Sequence, residues 1–257
     1  MPGYSVEISH HPDQRDLIIA DLWDQGCTGI VEIDETRLRA FFEGLEQRDS
    51  LLSLYPTGIY RDEAERDWVR SAQDLLQPIQ VGKRFFLMPQ WRDDPAPPGR
   101  FRIVVNPGMA FGTGVHETTQ LALEALEDYL IPGMTVLDVG TGSGILAEAA
   151  GMLGAAKVFA CDIDPVAVTI AHGRVRHVFT GSVDAVRSHF ADLTVANISP
   201  EAVQHLAPDL LRSLRPGGLL LVSGFETHEV ELLKAAFPGG KEVREKGRWA
   251  LAIARAG

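Results

Sequence analysis

The chain has 257 residues, 45% of them hydrophobic, and a formal net charge of −11. That length holds one large domain, or a small one beside a medium one. The acidity argues against broad nucleic-acid affinity, which needs clustered Lys and Arg, and no apolar run reaches membrane-spanning length. Acidity is compatible with a basic protein substrate steered by the surface field, although charge alone favours a simple solubility role. The start, Met1-Pro-Gly-Tyr-Ser-Val-Glu7, lacks a basic region followed by an apolar core, so no secretory signal is expected. Cys27 and Cys161 are the only cysteines and have no zinc spacing. With Cys161 inside a predicted strand no disulfide is expected, which points to a reducing, cytoplasmic compartment.

In chain order, Tyr4 to Ile8 alternates as a strand does, and Pro12 to Gln25 carries Leu17, Ile18 and Leu22 at helical spacing. Gly29 to Ile33 and Arg37 to Phe42 read as strands, and Glu43 to Leu54 as a second helix. These elements predict a small α+β unit of ferredoxin-like type over 1–57, ending near Pro56-Thr57-Gly58. A connector over 58–98 follows, with a helix around Arg61 to Leu76, a strand from Gly82 stopped by Pro89, and a loop at Pro95 to Gly99.

From 99 to 257 strands and helices alternate. Strands are expected at Thr135 to Leu137, Lys157 to Cys161, His177 to Thr180, Leu193 to Ile198, Gly217 to Gly224, Lys241 to Gly247 and Trp249 to Arg255. Between them lie helices at Thr118 to Leu130, Ile145 to Leu153, Pro165 to Gly173, Pro200 to Leu214 and His228 to Phe237. Such alternation predicts an α/β domain: a doubly wound, mostly parallel sheet covered on both faces. The last two strands, separated only by Gly247-Arg248, form an antiparallel hairpin at one edge.

Asp138-Val-Gly140-Thr-Gly142-Ser-Gly144 lies between the first of these strands and a helix, where a ligand can approach the backbone closely. A dinucleotide fingerprint needs a third glycine where Ile145 stands. The glycines instead alternate, with an acid two residues before the first, which is the pattern of S-adenosylmethionine (AdoMet) methyltransferases. Asp138, Gly140, Gly142 and Gly144 are therefore candidate cofactor residues. About twenty residues on, Asp162 ends the next strand, where a doubly wound sheet places its ribose-binding acid; Ile163 beside it joins the candidate contacts. Asp164 is followed by Pro165 and reads as a helix N-cap.

Asn106-Pro-Gly-Met-Ala-Phe111-Gly-Thr-Gly-Val-His116-Glu-Thr-Thr119 resembles the signature of the PrmA family, ribosomal-protein lysine methyltransferases. Asp67-Trp68, Pro78 to Trp91, Val195 to Ile198 and Ser223-Gly224 are similar to that family too. The resemblance runs from about the connector to the C-terminus and implies a class I AdoMet methyltransferase fold. It also implies AdoMet as cofactor and methylation of lysine or N-terminal amines of a basic ribosomal protein recognised by the small unit. No metal, membrane or direct nucleic-acid partner is implied.

Within the signature, Phe111 offers an aromatic face to a sulfonium. Thr113 and Thr119 offer hydroxyls, and one of Thr118 and Thr119 is expected to cap the following helix. His116 reads as a ligand to cofactor or substrate, or as a loop histidine bonded to backbone; the other histidines show no metal spacing. Asn197, at the carboxyl edge of its strand, can accept hydrogen bonds from an incoming amine or cap the helix near Pro200. Where the family pattern is departed from, Glu117 stands in a proline position and Ser199-Pro200 replaces small apolar residues. A short link from Ala171 to His177 leaves Ser182, Val183 and Asp184 as alternatives for the adenine pocket. Two other readings stay open: another protein or small-molecule amine as acceptor, or an AdoMet-binding module without turnover.

Overall fold

The computed structural model describes residues 3–43, 48–63, 77–106, 116–231, 236–237 and 242–257. The chain divides into two compact units, Met1–Gln77 and Pro78–Gly257.

The small unit runs β1 (Gly3–Ser9), α1 (Arg15–Asp24), β2 (Gly29–Asp34), β3 (Arg37–Glu43), α2 (Arg48–Leu54) and β4 (Ile59–Glu63). Its sheet has the antiparallel order β2-β3-β1-β4, the ferredoxin-like arrangement. Period-two alternation explains the layering. Tyr4, Val6 and Ile8 share one face of β1 and are buried with Ala40 and Phe42, beneath Leu22 of α1 and Leu51 of α2. On the other face Glu7 is buried, and burial of a carboxylate demands partners. Arg39 and Arg37 supply them at 2.8 and 3.2 Å, and the Arg39 bond leads in holding the Glu7 carboxyl below its ordinary range.

Three boundaries differ from the sequence expectation. Pro12–Gln14 is a 3-10 turn before α1, and Glu43 closes β3 instead of opening a helix. The small sheet continues past Gly58, because Tyr60 pairs with Val6 and Ile59 with Glu7. The expected connector helix therefore begins on strand residues, and its remainder, 64–76, lies outside the described residues.

In the larger unit β5 (Ile79–Val81), β6 (Phe85–Pro89) and β7 (Phe101–Val105) form a three-stranded sheet, antiparallel and then parallel. It shares a core with α3 (Glu117–Tyr129): Val81, Phe85, Leu87 and Ile103 are buried with Leu121, Leu123 and Leu126. The Glu127 carboxylate accepts the backbone N–H groups of Lys83 and Arg84 at 2.8 and 2.6 Å and so fastens the β5–β6 turn to α3. The strand expected in a separate connector thus folds with the larger unit.

The main elements follow as β8 (Thr135–Val139), α4 (Ile145–Met152), β9 (Lys157–Asp162), α5 (Pro165–Ala171) and β10 (His177–Thr180). Next come β11 (Ala191–Asn197), α6 (Pro200–Ser213), β12 (Leu214–Glu226), β13 (Glu242–Lys246) and β14 (Trp249–Arg255). The seven strands are ordered β10-β9-β8-β11-β12-β14-β13, with β14 antiparallel to both neighbours. Alternate residues serve opposite faces. Val136, Leu193, Val195, Leu219 and Leu221 meet α3 and α4, whereas Leu137, Val139, Ala196, Leu220 and Val222 meet α6. The helix expected from His228 opens as a 3-10 turn at Thr227–Glu229, and residues 232–235 lie outside the described ones.

Gly224 marks a close approach between β12 and the segment that follows β11. A register shift separates Ser223 from Phe225 in β12, and Gly224 adopts φ +101°. A Cβ there would lie 2.1 Å from the carbonyl oxygen of Ile198. Gly224→Ala is expected to destabilise the protein by about 2–4 kcal/mol, combining a left-handed backbone penalty with overpacking. Urea unfolding measures it; an unchanged midpoint would show that the loop can shift freely.

Candidate methyl-transfer site

Strand β8 ends in a turn whose three glycines, Gly140, Gly142 and Gly144, all have positive φ. At Gly140 the need is steric as well as torsional, because a Cβ would lie 2.2 Å from the Ile198 side chain. The turn is held from below by Asp138, which is fully buried. Its Oδ2 accepts the Thr141 hydroxyl at 2.7 Å and the Ala147 N–H at 3.1 Å, tying strand, turn and the first turn of α4 together. Its Oδ1 has no hydrogen-bond partner among the described residues. Burial pushes the carboxyl up from 3.8 to about 7, opposed by the Thr141 and Ala147 bonds and reinforced by the negative charge of Asp162.

Asp162 is held by two backbone donors. Gly142 N–H reaches Oδ2 at 2.8 Å and Asp164 N–H reaches Oδ1 at 3.0 Å. Each carboxylate oxygen retains acceptor capacity, so the head group is oriented without being used up. Asp164 caps α5, accepting Val166 N–H at 2.8 Å with Pro165 in the first helical turn. The two acids divide as their neighbours dictate.

Asn197 donates its amide N–H to the Thr119 hydroxyl at 3.3 Å. That bond leaves the amide carbonyl oxygen as the side chain's acceptor. The cap of α6 is not Asn197 but Ser199, whose hydroxyl accepts Ala202 N–H at 3.3 Å, with Pro200 in the first helical turn. The Ser-Pro pair carried that signal in the sequence.

Thr119, Gly140, Gly142, Asp162, Ile163 and Asn197 line one cavity of about 370 Å³. Ser182 lines it too, while Val183 is buried in the core and Asp184 bonds Ala185 N–H. Ile163 is 79% exposed beside the Asp162 carboxylate, an apolar platform next to a hydrogen-bond acceptor. Thr141, Ile198 and Leu206 are among further wall residues that motif reading missed; only the helical spacing of Leu206 within α6 hinted at an inward face.

Other expected residues lie elsewhere. Asp138 is beneath the turn, and Gly144 is the N-cap of α4; neither lines the cavity. His116 is also absent from its walls. It is the N-cap of α3, with Nδ1 3.4 Å from Thr118 N–H and 2.8 Å from the Thr118 hydroxyl, and its ring meets Trp249 edge-on at 4.6 Å. The helix cap is therefore His116 and neither threonine, because the helix starts at Glu117 and places both threonines in its first turn. Phe111 and Thr113 lie outside the described residues. Among those described, no group of three or more His, Cys, Asp or Glu could hold a metal, and both cysteines are free and buried.

A nucleoside fits this architecture. The glycine turn admits a close backbone approach, Asp162 presents preoriented acceptors, and Ile163 offers an apolar surface. The sheet order with its antiparallel β14 and this edge site define a class I AdoMet-dependent methyltransferase, and AdoMet is its cofactor. The model of the PrmA family, ribosomal protein L11 methyltransferase, matches residues 23–254. The chain belongs to that family.

The ribosomal protein L11 methyltransferase of Deinococcus radiodurans is 35% identical over 265 residues, covering 95% of each chain. That of Pelotomaculum thermopropionicum is 42% identical over 207 residues, or 76% of this chain and 67% of the relative. The crystal structure of the ribosomal protein L11 methylase from Lactobacillus delbrueckii subsp. bulgaricus superposes with a TM-score of 0.64 at 32% identity. The match covers 71% of this chain and 99% of that one.

Two expectations follow from the acids. The folded Asp138 carboxyl keeps its proton to about pH 7, whereas the unfolded one releases it near 3.8. The folded state binds the extra proton across that window, so this contribution to stability is full below it and declines as pH rises through it. The slope approaches about 1.4 kcal/mol per pH unit. Asp138→Asn should flatten the thermal-midpoint profile between those limits; an unchanged profile would refute the assignment.

Replacing Asp162 by Ala should weaken AdoMet binding by about 1–3 kcal/mol, whereas Asp164→Ala should cost about 1 kcal/mol of stability with affinity retained. Calorimetry and melting separate the two, and the reverse pattern would exchange the roles.

Proposed function

We propose that this methyltransferase modifies a ribosomal protein, L11, at lysine side-chain or N-terminal amines, in the cytoplasm where ribosomal proteins are made. The observation that carries the amine is Asn197. It lines the cavity, and with its N–H committed to Thr119 its carbonyl oxygen is left to accept. The names and extensive coverage of the relatives support the ribosomal substrate.

When bound, AdoMet supplies an electrophilic methyl group on a positively charged sulfur. The protein's task is then to hold the acceptor in line, which is catalysis by proximity and orientation. Asn197 accepts an N–H of the amine and so directs its lone pair. Removal of the amine from water lowers its pKa and favours the neutral nucleophile. We assign Asp162 to the ribose hydroxyls, Ile163 and Ser182 to the adenine side, and the glycine turn to close backbone contact. Asp138 positions that turn from beneath, and His116 positions the start of α3. Phe111 and Thr113 are assigned to the cofactor on their place in the signature, and recognition of the substrate is assigned to the small unit.

Incubation with methyl-labelled AdoMet and purified L11 tests the proposal, with mass spectrometry locating the amine. Asn197→Ala should lower turnover by about 100-fold, the scale of a misplaced reactant, while AdoMet affinity stays near the wild-type value. An enzyme that left L11 unlabelled and methylated a small amine would overturn the substrate assignment.

A further inference from the structure

The link from β10 to β11 carries part of the cofactor cavity's wall and little regular structure of its own. Gly181 and Ser182, at its start, line the cavity, as does Leu206 of α6. A single 3-10 turn, Val183–Ala185, follows, and Ser182, its N-cap, makes no capping bond with its side chain. Gly181 N–H donates to the Asp162 carbonyl at 2.8 Å, so this wall starts from the residue that carries the site carboxylate. Beyond it the link has to find donors for its carbonyls, since buried backbone oxygens are rarely left unpaired.

Three of those carbonyls are served by one side chain. Arg212, in the last turn of α6, donates through Nη2 to the carbonyls of Val183 and Asp184 at 3.2 and 3.3 Å. Its Nη1 donates to the Val186 carbonyl at 2.7 Å and the Ser188 hydroxyl at 3.4 Å. Asp209 accepts from Nε at 2.7 Å and so fixes the planar fork. A basic residue serving only its own helix would bond the last carbonyls of that helix. Here those carbonyls are taken by the link: Arg212 O accepts His189 N–H at 3.0 Å, and Ser213 O accepts Phe190 N–H at 2.7 Å. His189 adopts φ +53°, the one positive value at a non-glycine among the described residues. A backbone conformation of that cost persists only where its surroundings fix it. The link is thus bent onto the end of α6 and latched there.

We propose that Arg212 is a positioning residue for the cofactor's base: by fastening 183–188 to α6 it fixes Ser182 in the cavity wall and sets the preference for adenine. This rests on the assignment of Ser182 to the adenine side. Arg212 is not itself a wall of the described cavity and acts through the backbone it holds. A polar wall held in place rejects a base whose donors and acceptors are exchanged, because the mismatched groups stay unpaired, whereas a loose wall adapts. A wall already aligned also spares the cofactor the cost of ordering it.

Calorimetry with S-adenosylhomocysteine and S-inosylhomocysteine, which differ only at the hydrogen-bonding edge of the base, tests the proposal on the full chain. The wild-type protein should prefer the adenine compound. Arg212→Ala should lower affinity for it about tenfold, the scale of a wall that has to be ordered on binding, and bring the preference close to unity. Arg212→Lys keeps the charge but not the planar fork and should fall between the two. It carries the test alone if circular dichroism shows the alanine variant unfolded. Arg215→Ala, which removes an ion pair with Asp192 just past the end of α6, should bind both compounds as the wild type does; loss of the preference there too would overturn the special role of Arg212. Wild-type affinity and preference in both Arg212 variants would overturn it as well. So would a tenfold loss with the preference undiminished, which would make Arg212 a residue of general stability. A wild-type protein that bound the two compounds equally would instead overturn the assignment of Ser182 to the base.

Discussion

The buried carboxylate of Asp138 is the constraint around which the cofactor edge is assembled. Three elements converge on one side chain: β8 carries it, the turn donates the Thr141 hydroxyl, and α4 donates Ala147 N–H. Fully buried, the carboxyl holds these donors in place or leaves more acceptor capacity stranded. The neighbouring strand repeats the device in a more exposed form, with Gly142 and Asp164 amides fixing Asp162. The turn is thus clamped between an acid below and an acid beside it, and its backbone is preorganised for a ligand.

Close backbone approach completes the edge. Ile198 lies against Gly140 and Gly224, two positions where a Cβ would come within 2.2 Å of it. Gly140 in the turn after β8 and Gly224 in β12 thereby set where the segment after β11 runs. Asn197, just before that segment, reaches Thr119 from α3. Orientation of the Asn197 amide depends on packing across several elements, which is why a substitution at Gly224 is expected to be felt well beyond β12.

The two units solve different problems. The larger one buries both faces of the central strands β8, β11 and β12 of its main sheet, which are correspondingly apolar, whereas its edge strands β10 and β13 are more polar. The small one covers one face with helices whose outer sides still expose Leu17, Trp23, Leu52 and Leu54.

What the sequence by itself determined was local. Glycine alternation, a proline after an acid and helical or two-residue periodicity depend on neighbours within one element, so the α/β class, the glycine turn and the capping role of Asp164 were legible. The strand β4 was not, because Ile-Tyr-Arg-Asp-Glu is largely polar and its partner β1 lies far earlier in the chain. Nor could the role of Asp138 be read, since a carboxylate before a glycine turn has the same spacing whether it faces a cavity or the core. His116 was ambiguous for a related reason: N-cap preferences pointed to Thr118 and Thr119, and only the position of Glu117 in the first turn decided otherwise. The Thr119–Asn197 bond and the exposed face of α1 are products of tertiary packing. Which atoms meet across the fold, and which apolar side chains are left uncovered, depends on burial by residues distant in sequence.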